Sequence, residues 1–184
     1  MNHNKMKQKL FSLKTRRFGT CLEIITRMLF NLKECDYKYA NAVDSSGKLY
    51  EICGSTCNIN LLCRLQEDNI IDFLSSSNDE ETHICNFIDN NDFNCNFNQI
   101  KPNCFDYLIY VLCFHDFILF FKISSNDIVQ KSWLHHKQHK MSTNECQFNI
   151  NRNSLVYHIN NHLLEKLSYE ELFKKLICLE VSTL

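Results

Sequence analysis

Residues 106–123 read Asp-Tyr-Leu-Ile-Tyr-Val-Leu-Cys-Phe-His-Asp-Phe-Ile-Leu-Phe-Phe-Lys-Ile. Two blocks dense in Leu, Ile, Val, Tyr and Phe, 106–114 and 117–123, flank the polar pair His115-Asp116. Runs this short and apolar at both parities cannot bury their side chains on one face alone. They predict two strands joined by a tight turn, covered on both faces and placed at the middle of a sheet.

Moving toward the N-terminus, Phe93, Cys95, Phe97 and Gln99 alternate with asparagines, which predicts a strand over 93–100 ended by Pro102. Earlier still, Asp44-Ser45-Ser46-Gly47-Lys48 precedes the alternating run Leu49-Tyr50-Glu51-Ile52-Cys53. The Ser-Ser-Gly turn signal predicts a hairpin of strands 37–43 and 48–53, with Asp44 and Glu51 on adjacent antiparallel strands and close enough to hold one Mg²⁺. Leu22, Ile25, Met28, Leu29 and Leu32 recur at helical spacing over 19–33, with Glu23 on the flank of the apolar stripe. A second helix is expected over 61–74, followed by the polar run 75–81 and a short helical segment at 84–88. Toward the C-terminus, Ser124 or Ser125 can cap a short helix ending at Gln130, a strand follows at 147–150, and helices are expected over 154–164 and from Ser168. Ser168-Tyr169-Glu170-Glu171 has the form of a capping box, and Leu172, Phe173, Leu176 and Leu179 supply its buried stripe. The reading is a single α/β domain over 1–184, a mixed central sheet flanked by helices, with a basic arm at 1–18 and a helical pair at 154–184.

A chain of 184 residues, 45% hydrophobic with three Gly and one Pro, can support one domain with a substantial core. The net charge of −1 carries no global signal for nucleic acid, but Lys5, Lys7, Lys9, Lys14, Arg16 and Arg17 precede the first acid, Glu23. That arm reads first as a solvated terminus and second as a phosphate contact; it is too poor in Ser and Arg for a mitochondrial presequence. No apolar run approaches the roughly 20 residues that cross a bilayer, and no signal-peptide core is visible. A soluble, intracellular, cytoplasmic protein with no membrane association is expected. Eleven cysteines are many, yet the count is odd, several sit among apolar neighbours, and paired CxxC spacing is missing, which argues against both disulfides and zinc. The 22 asparagines, with abundant Lys, Ile and Phe, have the look of an AT-rich coding sequence. The polar segment 131–145 reads as a solvated loop or as a DNA-contacting one through Lys131, His135, His136, Lys137 and His139.

The order Glu23, Asp44, Glu51-Ile52-Cys53, Gln99-Ile100-Lys101, followed by the hairpin 106–123, resembles the PD-(D/E)XK nuclease superfamily, and within it the small type II restriction endonucleases. The resemblance implies a restriction endonuclease-like fold and hydrolysis of double-stranded DNA with Mg²⁺. It places the metal on Asp44, Glu51 and the Ile52 carbonyl, gives Glu23 an assisting role, and has Gln99 and Lys101 position the scissile strand, with Lys14, Arg16 and Arg17 available to phosphates. It also admits a homodimer, since a two-fold protein matches a palindromic site, although the sequence carries no symmetry element. One position departs from the pattern. Where the family has a lysine, this chain has Cys53, whose thiol offers no permanent positive charge beside an attacking water. Lys101 or Lys48 would have to supply it. The alternatives are a nuclease fold that keeps DNA binding and has lost catalysis, and an unrelated α/β interaction protein.

Overall fold

The computed structural model describes residues 2–59, 71, 84–89, 92–130 and 146–182. The two apolar blocks form β6 (Tyr107–Cys113) and β7 (Phe117–Ser124), antiparallel from Tyr107 opposite Ser124 to Cys113 opposite Ile118. They lie inside a six-stranded mixed sheet among the described residues, as their two-sided apolarity predicts. Its order is β1 (Lys33–Tyr37), β2 (Ala40–Val43), β3 (Leu49–Thr56), β6, β7, β9 (Leu163–Ser168). β3 runs parallel to β6, and the other neighbours are antiparallel.

Strand alternation splits the core between the two faces. Ile109, Val111, Cys113, Ile118 and Phe120 point to the face covered by α1 (His3–Phe11), α2 (Thr15–Leu29) and α5 (Tyr169–Ser182). Leu108, Tyr110, Leu112, Leu119, Phe121 and Ile123 point to the other. That face is covered by α4 (Arg152–His162) and a small antiparallel sheet of β4 (Asn58–Ile59), β5 (Phe93–Ile100) and β8 (Cys146–Asn151). At its centre Tyr110 stacks on Phe121, ring centroids 4.9 Å apart, and meets Phe97 and Phe148 edge-on. The Tyr110 hydroxyl lies 2.7 Å from Nδ1 of the buried His158. A buried phenol needs such a partner, and the desolvated imidazole, with its pKa held down to about 4, stays neutral.

Several sequence expectations are corrected. The basic arm is not a frayed terminus: residues 3–11 form α1, capped by the Asn2 side chain, with Leu10 and Phe11 buried. The next helix begins at Thr15 rather than 19, because Phe18 extends the buried stripe one turn back, and it ends at Leu29. Ile84 makes an isolated bridge with Asn58, and 84–88 is not helical. The C-terminal pair of helices is separated by β9, an edge strand whose residues Leu163 to Ser168 pair with β7. The periodicity had suggested helix through Leu164. The open edge of β7 wins, since an extended chain there satisfies both backbones. The Ser168–Glu171 capping box is present, with the Ser168 amide donating to the Glu171 carboxylate at 2.8 Å and Ser168 Oγ accepting from the Glu171 amide at 3.3 Å. Leu172 and Phe173 are buried, but Leu179 is exposed. Ser125–Gln130 forms the short helix α3 as expected. The helix expected over 61–74, residue 71 apart, and the segment 131–145 with Lys131, His135, His136, Lys137 and His139 lie outside the described residues. No helix among the described residues is long and apolar enough to cross a membrane.

Candidate functional site

Two glycines set the geometry. Gly47, at φ +81°, closes the β2–β3 turn after the Gly47 amide donates to the Asp44 carbonyl at 3.1 Å. Gly54 lets α2 approach β3 closely: a Cβ there would stand 2.3 Å from Leu22 Cδ1. That contact brings Glu23, the next residue on α2, to the hairpin.

β2 and β3 pair at Val43 with Leu49 and Ala42 with Tyr50. One residue further on, the Asn41 side chain takes over the ladder. Its Oδ1 accepts from the Ile52 amide and its Nδ2 donates to the Ile52 carbonyl, each at 2.9 Å. Glu51 lies beyond the last backbone rung, where a cavity of about 510 Å³ opens. Glu23, Lys38, Tyr39, Asn41, Glu51, Gln99 and Lys101 are among its lining residues. Glu23, Glu51, Gln99 and Lys101, drawn from a helix, a hairpin and the end of a distant strand, are thus brought together.

Gln99 and Lys101 arrive by a bulge. β5 and β8 keep register from Asn94 opposite Asn151 to Phe97 opposite Phe148, then slip so that Ile100 faces Cys146. Within the slip Gln99 sits at φ +61°, and both Asn98 and Gln99 turn to the cavity. Gln99 therefore leaves the apolar face that its sequence parity had predicted. A left-handed non-glycine residue costs about 1–2 kcal/mol. Gln99→Gly is accordingly expected to raise the unfolding free energy by about 1 kcal/mol in a denaturant titration while removing a cavity side chain; a loss of stability would contradict the strain.

The two carboxylates are electrostatically coupled. Burial pushes the Glu51 carboxyl up to about 7, and the charge of Glu23 adds to that. Burial also raises Glu23, opposed by Arg27 and by a hydrogen bond with Asn41. No donor among the described residues hydrogen-bonds Glu51. Cations share the lining: Lys101 Nζ lies 4.0 Å from the Tyr39 ring centroid, and the hydrogen bonds of Lys38 and Lys101 hold the Tyr39 hydroxyl below its usual range.

Asp44 is not part of this group. Its Oδ1 accepts from the Ser46 amide (2.8 Å), Ser46 Oγ (2.7 Å) and the Lys48 amide (3.0 Å), and its Oδ2 from the Tyr50 hydroxyl (3.0 Å). Tyr50 in turn accepts from Lys122, whose ammonium lies over the Tyr107 ring. An Asp opening a Ser-Ser-Gly turn is captured by its own following amides, and these bonds, Ser46 first, lower its pKa to about 2. The turn is also tied to β6 by Asp106, a residue the sequence reading passed over. Its carboxylate accepts from the Leu49 amide and from Lys48 Nζ, both at 2.9 Å. Lys48 is thereby committed to the turn. Asp44→Ala should lower the melting temperature and leave any activity of the cavity intact. The stability tied to Asp44 is present above its unfolded pKa of 3.8 and is lost as pH falls toward about 2.

The other expected residues are placed as follows. The Ile52 carbonyl accepts from Asn41, and its side chain is core. Cys53 packs against the aromatic core, its thiol kept protonated first by burial and then by Glu51 and Glu23. Lys14, Arg16 and Arg17 are exposed at the start of α2, where Arg16 and Arg17 line a separate concavity with Cys21 and Ile25. Asn41, Tyr39 and Lys38 had no sequence signal of their own beyond the place of Asn41 in the strand leading to the Asp44 turn. The described residues hold no cluster of three or more His, Cys, Asp or Glu suited to a metal ion.

Two neighbouring carboxylates, Glu51 with no donor of its own among the described residues and Glu23 opposed only by Arg27 and Asn41, are nevertheless a donor set that Mg²⁺ uses when substrate phosphate and water complete its shell. The residues present fit the metal that the PD-(D/E)XK resemblance implies, with Glu23 in place of Asp44. No protein-family model, curated protein or solved structure matches the chain.

Proposed function

We propose that the protein is a Mg²⁺-dependent DNA endonuclease of the restriction type, hydrolysing phosphodiester bonds in the cavity between α2, the β2–β3 hairpin and the end of β5. One observation carries the reading: Glu23, Glu51, Gln99 and Lys101, four of the residues that the resemblance assigns to the reaction, come from separate parts of the chain and line one cavity, which Asp44 does not join. Glu23 and Glu51 would hold the ion. Bound there, Mg²⁺ supplies Lewis-acid polarisation of the phosphate and a more acidic water. Lys101, with Lys38 beside it, provides the positive charge that Cys53 cannot, and both ammoniums are placed to bind a phosphate group. Gln99 offers donor and acceptor to the strand at the cavity mouth. Asn41 clamps β3 and steadies Glu23.

Incubation with plasmid and duplex DNA in Mg²⁺ or Mn²⁺ tests this, with EDTA as control. Metal-dependent fragments that disappear on Lys101→Ala support the reading. A second reading, a nuclease scaffold that binds DNA without cutting it, draws on the amide Asn41, bonded to the Ile52 backbone beside Glu51, and on the neutral Cys53 thiol. Salt-dependent duplex binding with no cleavage in either metal would favour it. Neither binding nor cleavage would overturn both.

A further inference from the structure

The outward face of the small sheet is built of carboxamides. In β5 the buried residues Phe93, Cys95 and Phe97 alternate with exposed Asn94, Asn96 and Asn98. In β8 the buried Cys146, Phe148 and Ile150 alternate with Gln147, Asn149 and Asn151. Register lines these up across the strands: Asn58 opposite Asn94 opposite Asn151, and Asn96 opposite Asn149. Asparagine is poorly favoured in strands, and what sets these positions apart from the chain's general asparagine content is their alignment across two strands on one face. Asn149 Nδ2 donates to both Asn94 and Asn96, at 2.8 Å to the latter, so the amides are pre-oriented on one another. Each oxygen keeps a second lone pair, and Asn94 and Asn96 keep their NH₂ groups for a ligand.

We infer that this face reads base edges of duplex DNA in the major groove, with adenine the base it is built to distinguish; the inference rests on the nuclease reading above and names the specificity surface of that site. Three observations converge. The face is continuous with the cavity, because the same strand carries its last two side chains, Asn98 and Gln99, into it through the bulge. Its charge pattern fits a duplex laid along it: neutral donor–acceptor groups where bases would lie, and the ammoniums of Lys38 and Lys101 at the cavity end where a backbone phosphate would be held. Its width is that of two strands over most of its length, a ribbon the major groove admits, and a carboxamide is the side chain that pairs in bidentate fashion with adenine N6 and N7.

The test is selection from a randomised duplex library by the full-length protein in EDTA, beside cleavage-end sequencing in Mg²⁺. The variants are Asn96→Ser/Asn149→Ser and, separately, Asn94→Ser, all exposed or half-exposed positions that keep a polar side chain. Wild type should enrich a motif containing adenine. Each variant should bind the unselected library as before, with the same salt dependence, and lose discrimination at one or two adenine positions by roughly 5- to 150-fold. Unchanged motifs in both variants, or duplex binding and cleavage by wild type without sequence preference, would overturn the inference and leave the nuclease reading standing. Absence of any duplex binding or cleavage would overturn both.

Discussion

Glu51→Gln should abolish metal-dependent cleavage and, at the same time, make the protein more stable at alkaline pH. The two effects share one cause. Glu51 is half-buried beside Glu23, and its carboxyl titrates near 7 rather than at its ordinary 4.5. Between those two values the folded state holds a proton that the unfolded chain has released. Stability therefore falls as pH rises from about 4.5 to about 7 and stays at the lower level above. Glutamine has the same shape and no charge, so the variant should lack this slope and gain about 1–2 kcal/mol at pH 8, with allowance for the solvent that still reaches the group. A bound cation answers the same repulsion, so Mg²⁺ should raise the melting temperature of the wild type at pH 8, much less at pH 6 where Glu51 is protonated, and not at all in the variant. If the ion contributes several kcal/mol at the transition state, the rate should fall at least 10²-fold. Cleavage by Glu51→Gln at the wild-type rate would sink the proposed site. A variant less stable than wild type at pH 8 would show that the charge has a partner after all.

Phe121→Ala should come close to unfolding the protein at moderate temperature. Phe121 is fully buried, stacked 7° from parallel on Tyr110 and edge-on to His158. The ring lies where β7 meets the small sheet and α4, so its removal leaves a cavity bounded by rigid rings that collapse poorly. The expected cost is about 3–5 kcal/mol, a large part of the roughly 5–15 kcal/mol typical of a domain's total stability. In a chain of this size that corresponds to a fall of about 10 °C or more in melting temperature. Thermal unfolding followed by near-ultraviolet circular dichroism measures it directly. A loss under about 1 kcal/mol would mean that the Tyr110 cluster is far more loosely packed than its ring geometry indicates.

Both predictions depend on parts of the molecule that were legible to different degrees. The β6–β7 hairpin was plain in the sequence because its cause is local: apolar residues at both parities have only the interior of a covered sheet to occupy. The Ser168 capping box and the apolar stripe of α2 were local in the same way. Edge features were not. β9 continues a helical pattern and becomes a strand only because β7 offers it an open row of backbone groups. α1 looks like a charged tail until Leu10 and Phe11 find the face shared with α2 and α5.

The site divides along the same line. Sequence order singled out Glu23, Glu51, Gln99 and Lys101, which the fold brings to one cavity, and with them Asp44, whose carboxylate is bonded by four donors in and beside its own turn. Competition between a turn and a distant site is invisible in one dimension, since it depends on which partners lie within hydrogen-bond reach. By itself the sequence determined the residue types, the two-sided strands at the centre and the turn chemistry, all governed by neighbours a few positions away. Only the tertiary structure decided that β3 lies parallel to β6, that Gly54 admits α2, and that a bulge at Gln99 delivers one strand end to another's carboxylate. Those outcomes rest on pairings between segments tens of residues apart, whose free energies are settled by shape and by shared burial rather than by any local pattern.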